Sequence, residues 1–167
     1  MIHIIFLSGL AYFGTRLSLI HNNLSGVMSM PKYHLPMQIY LMLFLAYYWY
    51  KLYKLTKRGY LVHLSGTCLM LSLLLPFKRS SHDFLSECHT YLGFIGIVFV
   101  MITLIMILYD LNKTNTYKTY KLVQLLLALF ALLATVLCFL ADITSLFEWL
   151  CCLCFIIFIE TYQHLDQ

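Results

Sequence analysis

Charge is what this sequence has least of. Asp, Glu, Lys and Arg make up 11% of its 167 residues, where a soluble domain typically carries about 25%. No basic run is long enough to hold nucleic acid, and the net charge of +4 is spread over short segments. No polar stretch is long enough for a separate soluble domain, so residues 1–167 read as a single transmembrane domain. There is no Walker motif, no nucleophile elbow and no H-E-x-x-H. These gaps remove the common nucleotide-, serine- and zinc-dependent chemistries. No cofactor and no metal are expected.

What the chain has instead is apolar surface. It is 62% hydrophobic, with mean hydropathy +0.83. A helix needs roughly 20 mostly apolar residues to cross a bilayer, and short connections leave room for about six. The expected fold is all-α, a polytopic transmembrane helix bundle with helices near 2–20, 36–53, 60–76, 81–109, 119–140 and 145–162.

The first run has no basic residue before it and no small-x-small cleavage pattern after it, so it reads as a helix rather than a signal peptide. The polar stretch 21–34, with Asn22, Asn23, Ser25 and Gly26, reads as a loop. Pro36 suits a first helical turn, and Pro76 stops the third helix. Ser80-x-x-Asp83 and Ser145-x-x-Glu148 match capping boxes for the fourth and sixth helices. Gly93 and Gly96 mark a close-approach face on the fourth helix. Ala128, Ala131, Ala134, Cys138 and Ala141 form a small-residue stripe on the fifth.

Basic and aromatic residues cluster together. Tyr47, Tyr48, Trp49, Tyr50 and Tyr53 interleave with Lys51, Lys54, Lys57 and Arg58. Tyr109, Tyr117 and Tyr120 do so with Lys113, Lys118 and Lys121. These two regions hold seven of the eleven Lys and Arg. Aromatic belts mark membrane interfaces, and basic loops mark the cytoplasmic side. Both termini are therefore expected in the cytoplasm, in the plasma (cell) membrane, with the lipid bilayer as the principal partner and another membrane protein as a further one.

The opposite side collects the polar residues that could carry chemistry: Arg16, His82, Asp83, Glu87, His89 and Glu148. His82 and His89 are seven apart and share a helical face; Asp83 and Glu87 are four apart and share another. The plain reading is a solvated helix start with acids suited to its positive end. The alternative is an interhelical polar network, with Arg16 turned inward to Asp83, Glu87 or Glu148. His-x6-His is not a recognised metal spacing. Cys151 and Cys154 form a C-x-x-C, yet no basic neighbour stands ready to hold a thiolate, so packing is expected there.

Residues 64–77, LSGTCLMLSLLLPF, then a short polar loop, then His89 followed by TYLGFIGIVF resemble small six-helix membrane proteins of the DRAM/Sfk-type superfamily and its bacterial relatives. In that pattern a proline-ended helix leads to a histidine at the outer start of the next, which singles out His89. The resemblance implies a role in membrane or lipid homeostasis without an established enzymatic activity. The expected function is non-enzymatic and accessory or regulatory. A small transporter or toxin-immunity protein is the alternative class, and an enzyme using His89 with Asp83 or Glu87 as an acid–base pair is a third.

Overall fold

The computed structural model describes residues 2–16, 24–78, 83–113, 145–165 and, between the last two segments, 121–122, 124–125 and 127–128. Among the described residues the chain is entirely helical, with six helices and no strand. They are α1 (Ile2–Gly14), α2 (Leu24–Met28), α3 (His34–Leu55), α4 (Gly59–Leu74), α5 (Phe84–Lys113) and α6 (Ser145–Leu165). The expected fifth helix and its alanine stripe lie largely outside the described residues; the described positions of 121–128 are helical.

Two differences from expectation have local causes. The first helix ends at Gly14 rather than near 20, and Thr15 and Arg16 form a turn. The Thr15 hydroxyl donates to the Tyr12 carbonyl at 2.9 Å, taking up a backbone acceptor at the helix end. At 13 residues α1 is about 20 Å long, short of a roughly 30 Å hydrocarbon core. Within the expected loop 21–34 stands the one-turn helix α2. Propensity alone cannot hold five residues in a helix. Side chains outside it hold both its ends: the Leu24 N–H donates to the Glu148 carboxylate, 124 positions away, and His34 Nδ1–H donates to the Met28 carbonyl at 2.9 Å.

The helices form two compact groups, Met1–Val27 with Asp110–Gln167, and Met28–Tyr109. In the first group α1 packs on α6. Phe6, Leu10 and Phe13 recur at helical spacing on the buried face of α1, and Ile156, Phe158 and Ile159 are buried on α6. In the second group α3 and α4 form an antiparallel hairpin across the turn 56–58. Met37, Phe44, Tyr48 and Leu52 make the buried stripe of α3, and Leu61, Val62, Ser65, Gly66 and Ser72 that of α4. A Cβ on Gly66 would stand 2.6 Å from Trp49 Cε2, so only glycine lets the α3 indole lie on α4. Likewise a Cβ on Gly96 would lie 2.6 Å from Leu69 Cγ and 3.2 Å from Leu69 N, which brings the α5 backbone close to α4.

Among the described residues one helix is long and apolar enough to cross a bilayer. It is Phe84–Asp110 within α5, with mean hydropathy 2.7 and 28% of its apolar window buried. Ile2–Gly14 and Gly59–Leu74 are shorter apolar helices. The buried residues of α5, Ser86, His89, Gly96, Thr103, Leu104, Ile107 and Leu108, lie along one side of the helix, and the buried stripe broadens toward its C-terminal half. Tyr91, Phe94, Ile95, Ile97, Val98 and Ile105 point outward.

Candidate functional site

The start of α5 holds three of the six polar residues singled out from sequence. It begins at Phe84, three residues later than expected, because Asp83 is itself the cap. Its Oδ1 accepts the Ser86 N–H at 3.0 Å, and its carbonyl accepts the Glu87 N–H at 3.1 Å. This is the N-cap role, in which a side-chain oxygen takes one of the four free N–H groups of a helix start. Ser80, the residue expected to cap, lies outside the described residues, as does His82. The Ser86 hydroxyl accepts the Lys78 N–H at 3.0 Å, which ties the incoming chain to the first turn. Glu87 is exposed in that first turn, where a negative charge suits the helix dipole.

His89 sits one turn further and is buried. Its Nδ1 lies 2.8 Å from the Ser72 carbonyl and 3.3 Å from the Leu75 carbonyl. Both partners only accept, so Nδ1 carries the proton and donates. The Ser72 hydroxyl returns a bond of 2.8 Å to the His89 carbonyl. Phe77 lies against the imidazole with ring centroids 5.1 Å apart. The last turn of α4 has carbonyls with no partner further along the helix. His89 and the Leu75 N–H, 3.1 Å from the same Ser72 oxygen, satisfy them. The result is a reciprocal latch joining the C-terminus of α4 to the N-terminal half of α5. Gly93, one turn beyond His89, keeps the two helices close: a Cβ there would stand 3.3 Å from Ser72 Oγ.

Glu148 does not fold back onto its own helix start as a capping box would have it. It accepts the N–H of Leu24, 124 positions away in sequence. Arg16 is exposed, and its guanidinium lies over the Tyr12 ring, 3.9 Å from the centroid. Among the described residues Arg16 and Glu148 form no ion pair, although both belong to the first helix group. A cation over an aromatic face one turn back is a contact that α1 supplies alone.

Two polar ties on α1 and α6 have no counterpart in the sequence reading. His3 Nε2 and Glu160 Oε1 lie 3.2 Å apart, both partly buried, and Trp149 Nε1–H donates to the Leu7 carbonyl at 3.2 Å. No local spacing signals either tie, since the partners lie 157 and 142 positions apart in sequence. Gln38 on α3 makes a third such tie, donating to the Leu73 carbonyl at 2.7 Å.

Cys68, Cys88, Cys151, Cys152 and Cys154 are free thiols. Among the described residues no three His, Cys, Asp or Glu side chains converge as a metal site. His63 lies between the rings of Trp49 and Tyr53, at centroid distances of 5.7 and 5.1 Å. His89, Ser72, Gln38, His3, Glu160 and Trp149 thus serve as fasteners between helices. No family model, no curated protein and no solved structure matches this chain.

Proposed function

We propose that this chain is a multi-pass helical protein of the plasma membrane, with both termini in the cytoplasm and an accessory or regulatory role in membrane homeostasis. The observation that carries the reading is α5. Its spanning segment is 27 residues long with mean hydropathy 2.7, and only 28% of its apolar window is buried. The core helix of a soluble protein of that composition is mostly buried, because exposed apolar area costs about 25 cal/mol per Å² in water. In lipid that cost vanishes. The outward Ile4, Ile5, Leu35, Ile39, Leu43, Leu64, Leu71 and Leu74 on the other helices support the same reading.

The accessory role follows from how the polar residues are used. Asp83 and Glu148 bind backbone N–H groups, and the Nδ1–H of His89 is directed at helix carbonyls. None of these arrangements presents a nucleophile or an acid–base pair to a substrate. The likeness of 64–77 and 89–99 to DRAM/Sfk-type proteins is the basis for placing that role in membrane homeostasis.

The test is fractionation followed by assay. After alkaline carbonate treatment the full-length chain stays with the membrane pellet and is released by detergent. Recovery in the carbonate supernatant contradicts the multi-pass reading. Loss of the gene alters tolerance to membrane-active peptides, whereas turnover of a lipid or thiol substrate by the purified protein contradicts the non-catalytic role.

A further inference from the structure

The second helix group is polarised along α4. The first 82 residues of the chain contain no Asp or Glu at all. Within Met28–Tyr109 the only acids are Asp83 and Glu87, at the start of α5, where His89 latches onto the C-terminus of α4. The opposite end of α4, about 24 Å away at 1.5 Å per residue, carries Lys51, Lys54, Lys57 and Arg58 on the last turn of α3 and the connecting turn.

The outward faces of the two helices are graded in the same sense. On α3 the exposed stripe reads Ile39, Leu43, Ala46, then Tyr50, Tyr53 and Lys54. On α4, running away from the turn, it reads Tyr60, His63, Leu64 and Thr67, then Leu71 and Leu74. Apolar, aromatic and cationic layers therefore follow one another toward the turn. Tyr50 and Tyr60 are 58% and 68% exposed, and Lys54 and Lys57 are exposed beside them. Lys54 Nζ stands 4.5 Å from the Tyr50 ring centroid and Lys51 Nζ 5.4 Å from that of Tyr47. These contacts hold the two ammonium groups against the aromatic layer, near the position a headgroup phosphate takes above the acyl chains.

We infer that the α3–α4 turn is a docking surface for anionic phospholipid headgroups, with Lys54 and Lys57 as its phosphate contacts and Tyr50, Tyr53 and Tyr60 as its interfacial anchors. The inference rests on the membrane reading above and adds to it a lipid class and the residues that select it. Charge complementarity chooses the occupant: residues 51–58 hold Lys51, Lys54, Lys57 and Arg58 and no acid, a segment of one sign. Order along the axis chooses the lipid over a soluble anion, because exposed aromatic rings sit between the cations and the apolar faces.

The experiment uses the full-length protein in zwitterionic detergent, titrated with phosphatidylglycerol, phosphatidylcholine or inorganic phosphate while its melting temperature is followed. Phosphatidylglycerol should raise it by about 3 °C or more, as preferential binding to the folded state requires. The other two additives should not. The Lys54→Gln/Lys57→Gln double variant should melt like the wild type without lipid and lose most of the gain. The Lys32→Gln/Lys78→Gln variant, with the same change in net charge, should keep it. Equal gains from both lipids, equal gains in both double variants, or an equal gain from inorganic phosphate would each overturn the inference. Carbonate extraction reports separately on the membrane reading, so failure of lipid selectivity in a carbonate-resistant protein is failure of this surface alone.

Discussion

The two helix groups fasten themselves in different ways. In Met28–Tyr109 the described interhelical ties are neutral side chains bonded to backbone: His89 to the Ser72 and Leu75 carbonyls, Ser72 to the His89 carbonyl, Gln38 to the Leu73 carbonyl. Gly66, Gly93 and Gly96 bring the helices close enough for these bonds. In the other group two of the described ties run through carboxylates: Glu148 to the Leu24 N–H and Glu160 to His3. Neutral ties over close backbones resist changes in ionic conditions. Carboxylate ties respond to charge, salt and the identity of one side chain. The group Met1–Val27 with Asp110–Gln167 should therefore loosen first when charge is manipulated, and Met28–Tyr109 when shape is.

The largest effect is expected at the latch. His89→Ala leaves the Ser72 and Leu75 carbonyls short of a donor and should cost stability near the upper end of about 1–3 kcal/mol. His89→Asn, whose amide can donate from nearly the Nδ1 position, should restore part of it. Thermal melting in detergent checks both, and equal melting of Ala and Asn variants would deny the hydrogen-bond account. Next comes Gly96→Val, which drives a branched side chain into Leu69 and its backbone at a cost of about 1–3 kcal/mol. Gly93→Ala, facing one hydroxyl at 3.3 Å, should cost less. If the two melt alike, α4 and α5 are not held by close approach at Gly96.

In the charge-tied group the expected losses are smaller. Glu148→Ala removes the cap of α2 and should cost about 1 kcal/mol. Glu148→Gln keeps an acceptor oxygen and should cost less, as read by hydrogen exchange at the Leu24 amide. His3→Ala should lower stability by less than about 1 kcal/mol, with the difference shrinking as salt rises. A loss independent of salt would show that His3 acts by packing. Smallest of all is Arg16→Ala. With its guanidinium over Tyr12, its removal should shift the melting temperature little. A large loss would reinstate an interhelical carboxylate partner for Arg16.

Sequence pattern and structure part company where a local rule competes with a distant partner. Helices α3 and α4 lie close to their expected bounds because the cues, Pro36, the aromatic belt and Pro76, act within one turn. Gly93 and Gly96 were legible as a packing face since glycine at that spacing has few other uses in an apolar helix. Glu148 matched a capping box, yet its oxygen went to Leu24, a choice set by tertiary contact that no spacing reveals. Helix α2 was invisible for the same reason at its start, where the Leu24 N–H is taken by the distant Glu148. Of the polar residues singled out from sequence, Asp83 caps α5 and His89 bonds the C-terminus of α4. The His3–Glu160 tie joins residues 157 positions apart; it needs the fold before it can be seen.

The central claim is that α5 crosses a bilayer with its start outside. Single cysteines at its two flanks, Ser81→Cys and Thr116→Cys, test it in a background whose native cysteines are replaced by alanine. In intact cells an impermeant thiol reagent should label the protein carrying Ser81→Cys and leave the one carrying Thr116→Cys unlabelled until the membrane is opened. Labelling at both positions from outside would contradict the claim that α5 spans. Labelling at Thr116→Cys alone would reverse the orientation.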